Sequence, residues 1–344
     1  MTEAAAAHVV LRCDAHPSFG VGHVVRCLAL AQELIARGHR VTLLGGLGEI
    51  AWLERLVDET GVALVRPGDD LTAVVEQAVD LGADAVVIDG YHLAPDLGAR
   101  LRERGVVVLA MVDGSFGSAQ EADVYVDQNL RATPHTGGPN GSVALAGIEH
   151  ALFRDSVLER RRSSVPQPHD PPRVLAVFGG TDPYDAAVTV VPLLLETGAP
   201  VHVTVVAARD EVRTTLAGLA VGPRQQVEVV DPVADLGALA VTCDAAVSAS
   251  GSSVWELLCL GVPTAVVCVV DNQRLGYEMT LAEHVVAPVG LLDELRAGVP
   301  APGLLPLITD ADVRADLAER GQSLVDGRGR ERVADALLAR VGSR

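Results

Sequence analysis

The sequence predicts an α/β fold made of two parallel-sheet domains. Short, continuously apolar, β-branched runs alternate with segments of helical period, a pattern typical of a parallel sheet covered by helices on both faces. The polar, proline-rich segment "RRSSVPQPHDPP" interrupts this pattern once, after which it restarts. A chain of 344 residues, 49% of them hydrophobic, is long enough to form two such domains.

These observations predict an N-terminal domain over 1–162, a linker over 163–172 and a C-terminal domain over 173–344. The final helical pattern, "RERVADALLARV", is long enough to pack on either domain. Ligands of such sheets bind beyond the carboxyl ends of the strands, so we expect the active site in a cleft between the domains.

Each predicted element follows from a local pattern of side chains. In the first domain the predicted strands are 8–13, 40–45, 62–67, 85–90, 106–113 and 124–129, with helices that include 25–38 and 73–82. In the second domain the predicted strands are 173–180, 200–208, 226–231, 243–250 and 263–270, and the last helix is 330–341.

Composition excludes several classes of function. A formal net charge of −18 and an aromatic content of 3% argue against nucleic-acid partners and anionic membranes. All 27 cationic side chains are arginine, so no Walker lysine or Schiff-base lysine is available. The five cysteines form no C-x-x-C pair, and no apolar run reaches the roughly 18 residues of a membrane helix. We expect a reduced, cytoplasmic protein without integral membrane contact.

The segment "GVGHVVRC" opens the first long helix and has three interpretations. A dinucleotide fingerprint needs a third glycine where Val25 stands, so that interpretation fails. As a catalytic site, Gly20 and Gly22 form a tight turn that presents His23 at a helix N-terminus. The helix dipole there favours the neutral ring, which suits a general base. The alternative is a histidine that only caps or packs against the helix.

The third interpretation is a metal site. Its ligands would be Cys13, His16, His23 and Cys27. However, Cys27 lies on the apolar face of the predicted helix, and its spacing from His23 matches no compact zinc site. We therefore expect no metal.

The segment "VFGGTDP" is a strand that runs into a glycine turn. Gly179 and Gly180 let backbone amides approach a phosphate, and Thr181 adds a hydroxyl donor. The alternative is an ordinary turn in which Asp182 is a helix N-cap and Pro183 is the first helical residue.

The segment "SASGSSVWELLCLGVP" carries a stronger signal for an anion site. A strand ends in small residues, and a helix opens at Ser252 and Ser253 with free amides suited to a diphosphate. Glu256, one turn later, can accept hydrogen bonds from ribose hydroxyls. Ser253 and Glu256 also fit a capping box, which is compatible with this role. Asn272 and Gln273 end the next strand and are expected to face the same cleft.

Six ordered motifs resemble the UDP-sugar hydrolase family of the pseudaminic acid pathway and the related spore-coat polysaccharide proteins. Those proteins look like the lipid-II-forming N-acetylglucosaminyltransferases and share their GT-B fold. The motifs are Arg12 and Asp14 with residues 20–31, "VVIDGY" (86–91), "VDQN" (126–129), "VFGGTDP" (177–183), residues 250–263 and "DNQ" (271–273).

The resemblance implies a UDP-sugar as substrate and no cofactor. It makes His23 the base over the anomeric carbon. It implies that Asp14, Gly22, Tyr91, Asn272 and Gln273 line the sugar or acceptor site. It also implies that UDP is held by Gly179, Gly180, Thr181, Ser250, Gly251, Ser252, Ser253 and Glu256.

Departures from the family pattern lie in the N-terminal half. The family has Ser where His16 stands and often His where Gly90 stands, and the basic Arg-x-His-x-Cys-Asp stretch is missing. We therefore expect an inverting UDP-sugar-dependent glycosyltransferase with a small acceptor, such as a nucleobase or natural-product intermediate. The rivals are a UDP-sugar hydrolase of the UDP-2,4-diacetamido-trideoxyhexose type and a non-catalytic UDP-sugar-binding subunit. Arg12 and Arg26 are candidates for binding a uronate carboxylate.

Overall fold

The chain divides into two compact units in a computed structural model. The structure describes residues 6–16, 20–114, 116–164, 166–179, 182–233 and 235–343. One unit is Met1–Asp155 with Gly327–Arg344, and the other is Ser156–Asp326.

Each unit contains one parallel sheet, as the alternating pattern predicts. In the first unit the strands are β1 (His8–Cys13), β2 (Arg40–Leu44), β3 (Ala63–Val65), β4 (Ala85–Asp89), β5 (Val107–Met111), β6 (Val124–Asp127) and β7 (Val143–Ala146). In the second unit they are β8 (Arg173–Val177), β9 (Val201–Val206), β10 (Gln225–Val230), β11 (Ala245–Ala249), β12 (Thr264–Cys268) and β13 (Ala287–Leu291). Among the described residues the sheet orders are β3-β2-β1-β4-β5-β6-β7 and β10-β9-β8-β11-β12-β13.

Helices connect the strands and cover the sheets. They are α1 (Gly22–Ala36), α2 (Ala51–Thr60), α3 (Leu71–Asp80), α4 (Leu97–Glu103), α5 (Asp155–Leu158), α6 (Ala186–Glu196), α7 (Asp210–Ala217), α8 (Leu236–Ala240), α9 (Ser253–Leu260), α10 (Arg274–Ala282), α11 (Leu292–Arg296), α12 (Leu304–Thr309), α13 (Ala311–Leu324) and α14 (Gly329–Val341). Single 3₁₀ turns lie at Ile148–His150 and Asp271–Gln273. None of the helices within the described ranges combines the length and the apolarity that crossing a bilayer requires.

Successive side chains of a strand point to opposite faces of the sheet, and both faces of the first sheet are buried. Val9 and Leu11 of β1 pack with α1 on one face, and Val10 packs with α3 and α4 on the other. The final helix α14 belongs to this unit, because its buried Val333 and Leu337 join the same core as α1.

The unit boundary differs from the domain limits that the sequence predicts. The division falls between residues 155 and 156 rather than at 162, and the last helix lies in the first unit. The physical reason is that Arg161 and Arg162 donate to backbone carbonyls of the second unit, among them those of Cys259, Gly261 and Cys243.

Candidate active site

The candidate site of the first unit lies at the carboxyl edge of its sheet, where β1, β4, β5 and β6 end side by side. Asp14 follows β1, Asp89 ends β4, Tyr91 comes two residues later, Asp113 follows β5 and Asp127 ends β6. In a parallel sheet these ends share one edge, which is where ligands bind. The fold thus brings together motifs that are far apart in sequence.

The imidazole of His23 is held by Asp89. His23 lies in the first turn of α1, and its Nδ1 is 2.7 Å from Oδ1 of Asp89. Both residues are buried, with exposed fractions of 7% and 1%. Arg26, one turn along α1, places Nε 2.5 Å from Oδ2 and Nη2 2.5 Å from Oδ1 of the same carboxylate.

This geometry selects one tautomer of His23. Nδ1 lies closer to the Asp89 carboxylate, at 2.7 Å, than to Nη2 of Arg26, at 3.1 Å. A carboxylate only accepts and a guanidinium only donates, so the shorter contact is an Nδ1–H donating to Asp89. The lone pair of the ring is then on Nε2, where it can accept a proton.

The Asp89 carboxyl is kept ionised inside the protein. Burial by itself would raise its pKa, but the charge and hydrogen bonds of Arg26, together with His23, outweigh burial and hold the pKa below its usual range. Asp89 can therefore orient the ring and stabilise the imidazolium that forms when Nε2 takes a proton.

The metal interpretation does not match this arrangement. The hydrogen bond with Cys13, and then burial, raise the pKa of the Cys27 thiol, whereas a metal ligand is a thiolate. The Sγ of Cys27 lies 3.6 Å from Oδ2 of Asp89, and His23 also faces Asp89. His16 pairs through its backbone in the turn before α1. Within the described ranges no group of three or more His, Cys, Asp or Glu residues is arranged to hold a metal ion.

Tyr91 lies against His23. The two ring centroids are 4.7 Å apart in an edge-to-face arrangement, and Phe116 contacts the tyrosine ring at 4.3 Å. The Tyr91 hydroxyl donates to Oδ2 of Asp113 at 2.5 Å, although 47% of the residue is exposed. Burial and this hydrogen bond raise the pKa of Tyr91 to about 12. Tyr91 thus lies beside His23, and its role in lining the site stays a prediction.

Asp14 makes contacts that hold the edge of the sheet together. Its carboxylate accepts from the amide of Gly46 at 2.7 Å, from Arg12 at 2.6 Å and from His92 at 2.7 Å. Burial would raise the pKa of Asp14, but Arg12 and the Gly46 amide lower it. The proposed roles of Asp14 in lining the site, and of Arg12 and Arg26 in binding a uronate, stay predictions. Both guanidinium groups engage carboxylates of this unit.

The two glycines before His23 differ in whether the backbone conformation requires a glycine. Gly20 has φ +91°, in the left-handed region that favours glycine. Gly22 has no left-handed φ, and a Cβ built there meets no described atom within 4 Å. The fold itself does not require glycine at position 22, which leaves that backbone open to close approach.

The second unit assembles its predicted residues at the carboxyl edge of its own sheet, where the neighbouring strands β8, β11 and β12 end. Gly179 follows β8 with φ +81°. Gly180 and Thr181 lie outside the described residues. Ser250 follows β11, and Gln273 lies in the turn after β12.

The Asp182 turn is a cap of a different form from the one the pattern predicts. The Asp182 carboxylate does accept from the amides of Ala186 and Ala187, each at 2.9 Å. However, α6 begins at Ala186, so the alternative in which Pro183 is the first helical residue is wrong. Asp182 has φ +44°, so the chain turns at this residue and α6 begins four residues later. The Asp182 side chain reaches forward along the chain to the first amides of the helix.

The predicted capping box at Ser253 and Glu256 is also wrong. α9 begins at Ser253, and its N-cap residue Ser252 makes no side-chain capping hydrogen bond. Ser252 has helical φ and ψ of −60° and −27°, whereas a capping side chain needs a non-helical backbone. The amides of Val254 and Trp255 bond back to the carbonyls of Gly251 and Ser252. Within the described ranges, the amides of Ser252 and Ser253 make no backbone hydrogen bond.

Two loops meet next to these amides. Gln273 accepts from the amide of Val269 at 3.2 Å, and its Nε2 is the nearest described atom, at 3.7 Å, to a Cβ built on Gly251. Asn272 is exposed in the same turn. The structure thus brings Ser250, Gly251 and Gln273 together, as the sequence predicts.

Sequence reasoning assigned no role to Asp89, which holds His23, or to Asp127 and Asn129. Asp89 lies within the quoted motif "VVIDGY", and Asn129 and Asp127 within "VDQN". Asn129 donates through Nδ2 to Oδ1 of Asp113 at 3.1 Å and to Oδ1 of Asp127 at 2.9 Å. A carboxylate or amide directly after a buried strand is the signal that points to such residues.

Comparisons with known proteins were made on the whole chain. No family model matches it. It is 20% identical over 281 residues to the uncharacterised protein MJ1062 of Methanocaldococcus jannaschii, covering 78% of this chain and 57% of that protein. The chain therefore spans little more than half of that relative's length. It is 24% identical to the spore coat polysaccharide biosynthesis protein SpsG of Bacillus subtilis, covering 96% of this chain and 97% of SpsG.

Solved structures of low identity share the fold. MurG of Acinetobacter baumannii matches with a TM-score of 0.69 and 18% identity, covering 97% of this chain and 99% of MurG. Arabidopsis thaliana UGT89C1 complexed with UDP-L-rhamnose matches at 0.62 and 15%, covering 98% and 100%. Neisseria meningitidis UDP-GlcNAc 2-epimerase bound to UDP-GlcNAc matches at 0.60 and 12%, covering 96% and 100%. The predicted fold class, two Rossmann-like parallel-sheet domains of GT-B type, is confirmed.

Proposed function

We propose that the protein is an inverting UDP-sugar-dependent glycosyltransferase that acts on a small acceptor. The observation that carries this proposal is the buried His23–Asp89 pair, 2.7 Å apart, with Arg26 on the same carboxylate. A histidine oriented in this way serves to move a proton and is not needed to bind a nucleotide sugar. The UDP-sugars in the complexes of UGT89C1 and of the epimerase support the donor class.

The second unit is proposed to hold UDP. The amides of Ser252 and Ser253 at the start of α9, with the positive end of the helix dipole, suit the diphosphate. The same site would include Gly179, Gly180, Thr181, Ser250 and Gly251, with Glu256 accepting from the ribose hydroxyls. Asn272 and Gln273 are proposed to contact the sugar.

The proposed reaction is a single displacement at the anomeric carbon. Nε2 of His23 takes the proton from an O–H or N–H of the acceptor while that atom bonds to C1. The bond from C1 to the diphosphate oxygen breaks, its electron pair leaves with UDP, and the configuration at C1 inverts. Asp89 stabilises the imidazolium, and the α9 amides stabilise the charge that develops on UDP. No cofactor is part of this proposal.

The resemblance of the six sequence motifs to the UDP-sugar hydrolase family keeps hydrolysis as a second candidate function. Water would then take the place of the acceptor, with the same base and the same leaving group. The open backbone at Gly22 would let the sugar approach closely in either reaction. It therefore does not distinguish water from another acceptor. A nucleobase or a natural-product intermediate remains the proposed acceptor class, and a UDP-uronate remains among the proposed donors.

The deciding experiment measures UDP release from a panel of UDP-sugars, with and without candidate acceptors. Acceptor-dependent release with formation of a glycoside supports the transferase, and full turnover in water alone overturns it in favour of the hydrolase. His23→Ala should abolish either reaction while retaining UDP binding. His202→Ala, at the amino end of β9, is the matched control. Tight UDP-sugar binding without any turnover would favour the non-catalytic subunit.

A further inference from the structure

A cavity lies in the first unit, lined in part by residues of β6 and of the segment that follows it. Its volume is about 310 Å³, at the lower end of the range for small-molecule sites. Its lining residues include Tyr125, Asp127, Thr133, His135 and Thr136. The cavity lies at the carboxyl ends of β5 and β6, where Asp127 ends its strand.

We propose that this cavity binds the acceptor, and that the acceptor is a small neutral or cationic molecule that presents N–H or O–H donors to Asp127. The inference rests on the proposed function for the acceptor role. The binding preference itself follows from the cavity and can be tested separately.

Asp127 is the acidic group of the cavity. Its Oδ1 accepts from the amide of Asn129 at 3.0 Å and from Asn129 Nδ2 at 2.9 Å, which fixes the carboxyl plane. Among the lining residues of the described chain, Asp127 carries the formal charge, and no arginine is present. Burial raises the pKa of Asp127, and nearby Asp113 adds to that effect. Because the cavity presents a carboxyl group and no described arginine, an anionic ligand is disfavoured and a ligand with hydrogen-bond donors is favoured.

His135 supplies a second polar contact. Its Nε2 is buried and makes no hydrogen bond within the described residues. The ring stacks on Tyr125 with centroids 4.1 Å apart. Tyr125 is itself fixed, because its hydroxyl donates to the carbonyl of Gln120 at 2.7 Å and accepts from the amide of Ala122 at 3.0 Å. A buried polar atom without a partner is costly, and a turn of the His135 ring toward the cavity would let a ligand satisfy it.

A chain of contacts joins this cavity to the base. Asn129 bridges Asp127 and Asp113 through Nδ2, at 2.9 Å and 3.1 Å. The other oxygen of Asp113 accepts from Tyr91, whose ring lies edge-on to His23. This chain of contacts connects a ligand held on Asp127 to Tyr91 and His23, and the acceptor role adds that the ligand's reacting atom extends from the cavity toward Nε2 of His23.

Three probes of nearly equal size test the preference: benzamidine (cation), benzamide (neutral) and benzoate (anion). Each is titrated into the full chain by calorimetry. We expect benzamidine and benzamide to bind about tenfold or more tightly than benzoate, a difference of about 1.4 kcal/mol. Equal or tighter binding of benzoate, or no binding of any probe, overturns the proposal.

Three variants locate the binding. Asp127→Asn should weaken benzamidine by about tenfold, the value of a charged hydrogen bond. His135→Phe keeps a ring on Tyr125 but removes Nε2, and should weaken benzamide. Thr136→Arg, at an exposed position, should shift the preference toward benzoate. Asp58→Asn, exposed on α2, is the matched control and should change nothing. Unaltered affinities in all three cavity variants would place the probes elsewhere and overturn the proposal.

UDP titrations on the same samples separate the two proposals. If UDP binds but the probe preference is missing, the cavity proposal fails and the donor proposal stands. If the probes behave as expected but no UDP-sugar is bound or turned over, the proposed function fails and the cavity remains a site for small hydrogen-bond donors.

Discussion

The two candidate sites use different parts of the chain for their chemistry. In the first unit, side chains that are far apart in sequence hold one another, as in the contact of His23 with Asp89 at 2.7 Å. In the second unit, small residues expose the backbone at the start of α9, and the side chain of the N-cap residue Ser252 does not cap that helix. Proton transfer needs an oriented ring, whereas a diphosphate can be bound by amides alone.

The two sites also differ in the source of their charge, which is side chains in the first unit and the backbone in the second. The first unit buries a carboxylate and a guanidinium together, so removing either one leaves a buried charge without a partner. The start of α9 is neutral apart from Glu256 one turn along, and its positive potential comes from the helix dipole. Single substitutions should therefore be severe in the first unit and graded in the second.

The largest expected effect is that of Asp89→Asn. The amide has the same shape as the carboxyl group but cannot stabilise the imidazolium, and it can present N–H to Nδ1 and reverse the tautomer of His23. We expect kcat to fall about 10²- to 10⁴-fold, the contribution of a positioned general base. Steady-state kinetics with the best UDP-sugar checks this.

The same variant tests whether the sites are separable. UDP affinity should be unchanged in Asp89→Asn, because UDP is proposed to bind the second unit. Asp58→Asn serves as the control for the substitution type. If kcat stays within the scatter of that control, His23 does not act through Asp89.

Arg26→Met should have the next largest effect, on the free energy of unfolding. It leaves the Asp89 carboxylate buried without its guanidinium, and breaking a buried pair in this way costs about 3–5 kcal/mol. Arg26→Lys keeps the charge but loses the two-point contact, so an intermediate loss is expected. Urea unfolding at neutral pH measures both.

The loss in the free energy of unfolding of Arg26→Met should depend on pH. The folded pKa of Asp89 lies below its unfolded value, so the pair stabilises the fold above the ordinary carboxyl range and stops doing so as pH falls through the folded pKa. In Arg26→Met burial is no longer offset by the guanidinium and raises the pKa of Asp89 above its ordinary value, so the difference between wild type and Arg26→Met should shrink as pH falls, first through that raised pKa and last through the lowered pKa of the wild type. A difference that grows on acidification contradicts the assignment.

Both strands that the sequence does not predict lie at sheet edges. Nine of the eleven predicted strands lie inside the sheets and contain the apolar runs that both faces of a buried parallel strand require, and the edge strands β3 and β10 are predicted because their segments are rich in valine. The missed strands are β7 and β13, and each lies at one edge of its sheet. β7 is only "VALA", and β13, "APVGL", contains Pro288 and Gly290, which a pattern search treats as turn residues.

In the candidate site, local sequence signals predict His23, whereas its partner is distant in sequence. Gly20, Gly22 and His23 are contiguous, so the sequence predicts the base directly. Its partner Asp89 is 66 residues away. The pairing arises because β4 lies beside β1 in the sheet, with Asp89 in register with Cys13, and a single sequence does not contain that strand order.

Glu256→Gln should have a moderate effect on the second unit. If Glu256 accepts from ribose hydroxyls, losing the charge should weaken UDP by about tenfold, since hydrogen bonds to charged groups are worth about 1.5–3 kcal/mol. Wild type should prefer UDP over 2′-deoxy-UDP, and the variant should discriminate less. Glu294→Gln, exposed on α11, is the control. Equal discrimination in the variant and the wild type would place the ribose away from Glu256.

Tyr91→Phe should have the smallest effect, because the ring that contacts His23 is kept and only the hydrogen bond to Asp113 is lost. A hydrogen bond to a charged group is worth about 1.5–3 kcal/mol, and exposure of Tyr91 to water reduces this to about 1 kcal/mol, so the acceptor KM should rise by about two- to tenfold. The pKa of about 12 predicts that Tyr91 stays protonated throughout the neutral and mildly alkaline range. A difference titration of tyrosinate absorbance, wild type minus Tyr91→Phe, should show that one ionisation well above the ordinary tyrosine value of about 10. A difference midpoint at or below that value would mean that Asp113 does not hold the hydroxyl, and the contact chain from the base to Asp127 would be broken at that link.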